Sequence, residues 1–198
     1  MTGNRDDTHR HRIRGYFAVG AERISKPLNL GNLLRSAHAF GASFVFTVAA
    51  HRTIAEPHSG VEKSDTSKTP GHVPYYRWSD IGEMVLPEGC ELVGIELSPD
   101  ARDLPSFRHP LRAAYVLGAE RGSLTQEMIA RCDHVVRIPT AFSLNVATAG
   151  AIVMYDRVRT LGHFARPPVT PWGAVEPVDA HVHGVPPGLA DDGLADDG

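Results

Sequence analysis

Apolar residues recur at helical spacing in the stretch NLGNLLRSAHAFG, residues 29–41. The positions that repeat at steps of three and four are Leu30, Leu33, Leu34, Ala37 and Phe40. This spacing predicts the buried face of an amphipathic helix. Asn29 stands where an N-cap belongs, and Arg35 follows directly after the leucine pair. An arginine at that position is a surface charge unless other parts of the chain give it a partner.

The rest of the pattern alternates short apolar runs with longer segments of helical spacing. Strands are predicted at 16–20, 43–48, 90–97, 113–118 and 134–139. Further helices are predicted at 79–86, 124–132 and 143–162. A polar loop with one or two helical turns is predicted between residues 51 and 76. Because strands that alternate with helices form parallel units, the pattern predicts an α/β domain with a mainly parallel sheet flanked by helices.

The two ends of the chain differ in composition from its centre. Residues 1–14 are polar and rich in Arg, His and Asp, which is typical of a flexible arm. Residues 167–198 are rich in Pro and Gly, carry no Lys or Arg and end in a doubled LADDG. This composition predicts an acidic, disordered tail, of which Trp172 is expected to hold the start against the body. The folded domain is therefore expected over residues 15–166.

Composition and charge exclude several classes of protein. Apolar residues make up 42% and charged residues 22% of the 198 residues, as in a soluble globular protein. No apolar run is long enough for a membrane span and the start lacks a signal-peptide pattern, so we expect a cytoplasmic protein. The net charge of −3 becomes +3 without the six carboxylates of the tail, which is compatible with an RNA partner. Cys90 and Cys132 lack C-x-x-C spacing and are expected to be reduced.

Three loops that follow predicted strands or open helices carry candidate chemistry: SKPLNLGN, LGAERGSL and IPTAFSLN. In parallel sheets, ligands bind at the carboxyl ends of the strands. The chain has neither a dinucleotide glycine fingerprint nor a phosphate loop, which argues against a Rossmann nucleotide-binding domain. The second loop contains Gly118, Glu120 and Gly122. It either lets a ring or a ribose approach the backbone closely or forms only a tight turn before a helix capped by Thr125. In the third loop, Ser143 opens a helix.

Together these loops contain N-x-G-N-x-x-R (29–35), G-x-E-R-G (118–122) and I-P…S-L-N-V-A (138–147). In this order, each at a strand end, they resemble the three motifs of the SpoU/TrmH class of SPOUT RNA methyltransferases, over roughly residues 16–162. The resemblance implies a C-terminal deep trefoil knot (the SPOUT α/β knot), S-adenosylmethionine bound in the knot, and a homodimer. It also implies transfer of a methyl group to a ribose 2′-hydroxyl of structured RNA.

The resemblance also assigns residues by position. Those implied to bind the cofactor are Leu117, Gly118, Glu120, Gly122, Ile138, Ser143 and Leu144. Those implied at the catalytic centre are Asn29, Arg35, Ser143 and Asn145. Because a guanidinium stays protonated in proteins, we expect Arg35 to bind a phosphate and stabilise the developing alkoxide rather than act as the base. Asn29 and Ser143 are expected to orient the ribose.

Alternatives concern the substrate, turnover and metal binding. We favour tRNA because the sequence shows no separate N-terminal RNA-binding domain; ribosomal RNA is the alternative substrate. A non-catalytic RNA-binding relative is disfavoured because Asn29, Arg35 and the Ser-Leu-Asn of residues 143–145 are all present. No metal is expected, since His181 and His183 have no third ligand nearby.

Small residues form a stripe on the last predicted helix: Ala147, Gly150, Ala151 and Met154. A glycine inside a helix costs about 1 kcal/mol relative to alanine. The stripe therefore predicts close packing of another element on this helix, from either the same chain or the first helix of a partner subunit.

Overall fold

A computed structural model of the protein describes residues 15–55, 73–120 and 122–161. All of these belong to one of the two compact units into which the chain divides. The predictions for the N-terminal arm and for the C-terminal tail, including those for Trp172 and the tail histidines, lie outside the described residues. None of the described helices is both long enough and apolar enough to cross a membrane.

In the described part of the chain, seven strands form one sheet. Their bounds are Tyr16–Glu22 (β1), Phe44–Val48 (β2), Tyr75–Trp78 (β3), Glu91–Ile95 (β4), Arg102–Asp103 (β5), Arg112–Leu117 (β6) and His134–Arg137 (β7). The strand order is β3-β2-β1-β6-β4-β7-β5, and every neighbouring pair is parallel. The mainly parallel sheet predicted from the alternation is therefore confirmed.

The α-helices of the described residues lie between and after these strands. Their bounds are Pro27–Phe40 (α1), Arg52–Ala55 (α2), Gln126–Arg131 (α3) and Val146–Leu161 (α4). Helices cover both faces of the sheet. On β1, for example, Phe17 and Val19 point into a core shared with α1 and α4, whereas Ala18 points into a second core shared with α3. Strands buried on both faces read as continuous apolar runs, which is why β1, β2 and β6 were recognisable in the sequence.

The two long helices α1 and α4 pack closely at Gly150. A Cβ atom at this position would lie 2.4 Å from Cδ1 of Leu33 on α1. A larger residue therefore requires one of the two helices or the leucine side chain to move. The close packing predicted from the stripe of small residues is thus made within one chain, by its own first helix.

A buried polar cluster holds the end of α4 at the amino edge of the sheet. Arg157 is only 2% exposed. Its guanidinium donates hydrogen bonds 2.6–3.1 Å long to the carbonyls of Tyr16, Pro110 and Leu111 and to the hydroxyl of Tyr115. Buried polar groups need such partners, and here one side chain donates to carbonyls at the starts of two strands, β1 and β6.

The cluster continues from Tyr115 to a buried histidine. The Tyr115 hydroxyl lies 2.6 Å from Nδ1 of His109, and Nε2 of His109 lies 3.1 Å from a carboxylate oxygen of Asp156. Because a carboxylate only accepts, Nε2 of the neutral His109 carries the proton and donates to Asp156, and Nδ1 accepts from the Tyr115 hydroxyl. Burial lowers the pKa of His109, and the Asp156 carboxylate offsets this only in part. Burial also raises the pKa of Tyr115 to about 12.

The helix predicted at 79–86 is wrong; this stretch forms turns. The N–H and hydroxyl of Ser79 both donate to the carboxylate of Glu83, so side chains compete with the helical main-chain pattern. The carbonyl of Ile81, which a helix would use internally, accepts from the guanidinium of Arg131.

The strands β3 and β5 and the start of α1 also differ from the predictions. Strand β3 begins at the end of the stretch predicted as a polar loop. It was not predicted because Tyr76 and Arg77 are exposed on this edge strand. Strand β5 has only two residues, too few for a pattern. Helix α1 begins at Pro27 and not at Asn29, because proline is well tolerated in the first turn of a helix. Asn29 therefore lies inside the helix.

Candidate active site

A cleft opens at the carboxyl edge of the sheet, where β4, β6 and β7 end. It contains about 580 Å³ of free space, which includes the solvent at its open mouth. Its walls are the ends of these strands, the loops that follow them and the start of α4. This is the edge at which parallel α/β sheets hold ligands.

All seven residues that the resemblance places at the cofactor line this one cleft. They are Leu117, Gly118, Glu120, Gly122, Ile138, Ser143 and Leu144. The other lining residues were not predicted from the sequence: Ile95, Glu96, Leu97, Ala119, Thr140, Val146 and Ala149. The loop after β4 carries no motif, so only its place after a buried strand could have indicated it. That the seven residues contact a cofactor remains a prediction.

A chain of hydrogen bonds joins the three motif loops beside the cleft. Glu120 accepts from the side-chain amide of Asn29 at 3.0 Å and from the main-chain N–H groups of Ser25 and Lys26 at 3.2 and 2.9 Å. The amide oxygen of Asn29 accepts in turn from the amide of Asn145 at 3.0 Å. Asn29, which is 6% exposed, thus uses both ends of its side chain to connect the loop after β6 with the start of α4.

The side chain of Asn145 is oriented by a second function, the capping of α4. Its amide oxygen accepts from the main-chain N–H groups of Ala147 at 2.9 Å and Thr148 at 3.4 Å. Asparagine is favoured at this position because its oxygen satisfies N–H groups that the first helical turn leaves without partners. The helix therefore begins at Val146, later than the predicted start at 143, and the Asn145 amide nitrogen is left to face Asn29.

The carboxylate of Glu120 is ionised at neutral pH despite its partial burial. Burial by itself raises the pKa of this group. The hydrogen bonds it accepts from its own main chain, from Asn29, from Lys26 and from Ser25 favour the charged form and outweigh burial, so the pKa is lowered. The cleft therefore carries a fixed negative charge on one wall.

Two further carboxylates, which the sequence analysis missed, hold the loop after β6 in place. Glu96 accepts from the N–H of Leu124 at 2.7 Å, and Glu22 accepts from the N–H and the hydroxyl of Thr125 at 2.9 and 2.6 Å. The loop then passes so close to Gly118 that a Cβ there would lie 2.9 Å from the Leu124 nitrogen. The close approach expected at Gly118 is thus made by the chain itself. Thr125 caps α3, as predicted.

Three predicted site residues do not line the cleft. Two of them, Asn29 and Asn145, are connected to it through Glu120. The third is Arg35. It is exposed on α1, two turns beyond Asn29, and it does not line the cleft of its own chain. Ser143 does line it, with an exposed side chain. Among the described residues, no group of His, Cys, Asp or Glu side chains could hold a metal ion.

Comparison with known proteins gives consistent relatives. The chain is 30% identical over 162 residues to the tRNA (guanosine(18)-2′-O)-methyltransferase of Mus musculus, which covers 76% of this chain and 10% of that protein. It is 27% identical over 149 residues to the protein of the same name from Escherichia coli K12, covering 72% of this chain and 63% of that protein. Among solved structures, it resembles the SpoU methyltransferase AviRb from Streptomyces viridochromogenes in complex with the cofactor AdoMet, with 26% identity, a TM-score of 0.63, and coverage of 74% of this chain and 60% of that chain.

The chain spans between 10% and 63% of the lengths of these three proteins. The profile of the SpoU rRNA Methylase family matches residues 16–155, which is most of the described fold and includes all three motif loops. The resemblance seen in the sequence is therefore confirmed: the chain belongs to the SpoU rRNA Methylase family.

Proposed function

We propose that the protein is an S-adenosylmethionine-dependent methyltransferase that methylates a ribose 2′-hydroxyl of structured RNA, with tRNA as its substrate. The observation that carries this proposal is the single cleft lined by all seven residues that the motifs place at the cofactor. The names of the mouse and E. coli relatives support the reaction and the substrate. The AviRb complex supports the methyl donor.

The residues of the cleft fit S-adenosylmethionine. Leu117, Ile138 and Leu144 offer apolar surfaces of the kind that pack against a purine ring. The ionised Glu120 on the same wall favours a ligand that carries positive charge. When bound, S-adenosylmethionine supplies an electrophilic methyl group for transfer to an oxygen nucleophile. Gly122 leaves open space beside the cleft, since a Cβ there would meet nothing within 4 Å.

The predicted catalytic residues divide into two groups by their contacts. Asn29 and Asn145 are positioning residues, because their side-chain amides are bonded to each other, to Glu120 and to the start of α4. Ser143 stands on the cleft wall with its side chain exposed, so its hydroxyl is available to orient the ribose. Arg35 acts on the RNA: its planar guanidinium binds a phosphate next to the target ribose and stabilises the alkoxide as it forms.

We further propose a homodimer that completes this site. Arg35 is exposed on α1 and absent from the cleft of its own chain. A second copy that packs on α1 brings Arg35 of one subunit to the cleft of the other. An active site shared between two subunits explains how the residue joins the chemistry without lining its own cleft.

Mixing two inactive variants tests the shared site. Arg35→Ala removes the guanidinium, and Gly122→Trp places a large side chain on the cleft wall, at a position where a Cβ meets no atom within 4 Å. Each homodimer is expected to be inactive. Co-expressed at equal amounts, the two chains form mixed dimers with one complete site, which gives about a quarter of wild-type activity for random pairing. A mixture without activity, with mixed dimers demonstrated by two affinity tags, contradicts the shared site.

The deep trefoil knot is also part of the proposal. After β7 the chain must return across the ends of β4 and β6, because α4 packs against α1 and β6. On this path it passes the loop that Glu22 and Glu96 hold in place. Threading behind that loop produces the knot, and a crystal structure traced through residues 138–146 tests it.

Methylation of defined RNAs tests the function itself. Unmodified tRNA transcripts and ribosomal RNA transcripts are incubated with the protein and methyl-labelled S-adenosylmethionine. We expect label in tRNA at a ribose 2′-oxygen, which alkaline hydrolysis reveals as a resistant dinucleotide; guanosine 18 is the first position to examine, from the names of the relatives. Label confined to ribosomal RNA corrects the substrate. No label in either RNA, with ligand binding intact, favours a non-catalytic protein.

A further inference from the structure

The described parts of the loops next to the cleft, at the ends of β1 and β2, carry cations and no carboxylates. Arg23 and Lys26 follow β1, and Arg52 begins the short helix after β2; all three side chains are exposed. We call these three residues the basic rim. From residue 23 to residue 55 the sequence contains no Asp or Glu, although the whole chain holds 23 acidic residues and has a net charge of −3.

The two loops of the basic rim are joined to each other and to the cleft. The N–H of His51 donates to the carbonyl of Ile24 at 2.9 Å, and the hydroxyl of Thr53 donates to the carbonyl of Ser25 at 2.9 Å. The N–H groups of Ser25 and Lys26 donate to Glu120, which lines the cleft. The rim therefore continues the edge of the cleft across β1 and β2.

The nearby carboxylates are used by other donors. Glu120 accepts from main-chain and side-chain groups of the first motif loop, and Glu22, which is 2% exposed, accepts from Thr125. Within the described residues, none of the ion pairs involves a cation of the rim. Arg137 and Arg159, elsewhere in the fold, do pair with Asp103 and Asp156.

The backbone holds the rim in an unusual conformation. Arg23 has a φ of 55° and Ala49 a φ of 48°, and these are the non-glycine residues with positive φ in the described chain. Each directly follows a strand and donates its N–H to the last carbonyl of the next strand, Arg23 to Val48 and Ala49 to Trp78. Residues other than glycine rarely adopt this conformation. The two hydrogen bonds tie the start of each loop to the end of the neighbouring strand.

We infer that the basic rim binds the phosphates of the RNA strand that enters the cleft. The inference rests on the proposed function and adds the surface that positions the substrate. Exposed cations without carboxylate partners attract a polyanion, and each phosphate they neutralise releases counterions. Adjacent to the cleft, the rim holds the backbone that flanks the target ribose. It sets affinity for RNA and contributes nothing to methyl-donor binding.

A charge-neutral triple variant tests the rim. Arg23→Gln, Lys26→Gln and Arg52→Gln together are compared with Arg102→Gln, Arg108→Gln and Arg112→Gln, which remove three exposed arginines from other parts of the fold. The probe is an unmodified tRNA transcript, followed by fluorescence anisotropy at several salt concentrations. We expect the rim variant to bind at least about tenfold more weakly, with a salt slope smaller by about 2 to 3, because each phosphate contact contributes about 0.9 to the slope.

The controls separate this inference from the proposed function. In methylation assays the rim variant is expected to show a raised KM for RNA, with kcat, affinity for S-adenosylhomocysteine and oligomeric state unchanged. If the rim variant binds the tRNA transcript with the affinity and the salt slope of the wild type, the inference is overturned, even if the protein methylates RNA. Equal loss in both triple variants shows a net-charge effect and also overturns it, as does loss of the dimer in the rim variant. Weaker binding of the rim variant in a protein that transfers no methyl group supports the rim and contradicts the proposed function.

Discussion

Two polar networks lie at opposite edges of the same sheet and hold opposite ends of α4. At the carboxyl edge, Asn29 connects Glu120 with Asn145, next to an open cleft. At the amino edge, Arg157 and His109 form a cluster in which both side chains are almost fully buried. The carboxyl-edge network positions loops around a cleft that a ligand can enter. The amino-edge network satisfies the chain's own carbonyls and fixes the fold.

The two networks differ in how many hydrogen bonds are lost when one side chain is removed. Among the described residues, no carboxylate pairs with the buried guanidinium of Arg157, and carbonyl oxygens accept its hydrogen bonds instead. Removing it takes one donor from each of four acceptors, of which the Leu111 carbonyl keeps the N–H of Tyr16. Removing Asn29 leaves Glu120 with its remaining donors at Ser25 and Lys26. We therefore expect damage at the amino edge to reduce stability and damage at the carboxyl edge to reduce activity.

Arg157→Met gives the largest expected loss of stability. The variant keeps an apolar side chain of similar length but takes the Arg157 donor from three main-chain carbonyls and the Tyr115 hydroxyl. We expect the free energy of unfolding to fall by about 3–5 kcal/mol, measured by urea denaturation. The matched control is Arg159→Met, an exposed arginine paired with Asp156, which is expected to cost less than about 1 kcal/mol. Equal effects of the two variants contradict the role given to Arg157.

Gly150→Leu breaks the packing of α4 between the two networks. The added side chain meets Leu33 of α1, whose Cδ1 already occupies the space that a Cβ at this position would need. We expect a loss of about 1–3 kcal/mol from overpacking, together with lower activity, because α1 carries both Asn29 and Arg35. Gly150→Ala is the milder variant, since only the far end of the leucine must move. Light scattering in parallel detects any change of oligomeric state, and a Gly150→Leu protein of wild-type stability contradicts the close packing.

The sequence predicted well what depends on local pattern and on motifs. Strands buried on both faces, such as β2, stood out as apolar runs, and all seven cofactor residues assigned by motif proved to line one cleft. It did not predict β3, which is an edge strand with exposed side chains. Nor did it predict Glu22 and Glu96, because their partners, Thr125 and Leu124, lie far away in sequence.

Contacts between distant segments also changed the interpretation of residues that the sequence had found. Asn29 was expected to cap its helix and to orient the ribose. Its hydrogen bonds to Glu120 and Asn145 join segments about a hundred residues apart, and the spacing of residues along the chain cannot predict such contacts. The stripe around Gly150 correctly indicated close packing, but only the fold identified Leu33 of the same chain as the neighbour.

Asn29→Ala separates activity from stability at the carboxyl edge. The substitution removes the link between Glu120 and Asn145, so we expect a loss of about 1–2 kcal/mol in unfolding free energy. Methyl transfer is expected to fall at least about tenfold, because misplaced catalytic geometry costs rate steeply. Asn32→Ala, an exposed asparagine one turn further along α1, is the control and is expected to leave stability within about 0.5 kcal/mol. Full activity in Asn29→Ala shows that the link is dispensable.

The smallest expected effect is a pH dependence from His109. Its pKa is lowered in the folded state, so the unfolded chain binds the proton more readily. The free energy of unfolding therefore rises as the pH increases from the lowered pKa of the folded state towards the ordinary value of 6.5, and it falls as the pH drops below 6.5. In His109→Gln, the slope of unfolding free energy between about pH 7.5 and about pH 5.5 should be smaller than in the wild type. An unchanged slope means that other groups set the pH dependence.

Binding of S-adenosylhomocysteine to the carboxyl-edge cleft is the most direct test of the central claim. Isothermal titration calorimetry is carried out on the wild type, on Gly122→Trp, which is designed to block the cleft, and on Arg159→Met, at the opposite end of α4. We expect saturable binding with about one ligand per chain in the wild type and in Arg159→Met, because the predicted cofactor residues of a chain line one cleft. Gly122→Trp is expected to remain folded and to bind nothing measurable. Absence of binding in the wild type, or unchanged affinity in Gly122→Trp, contradicts the assignment of this cleft as the methyl-donor site.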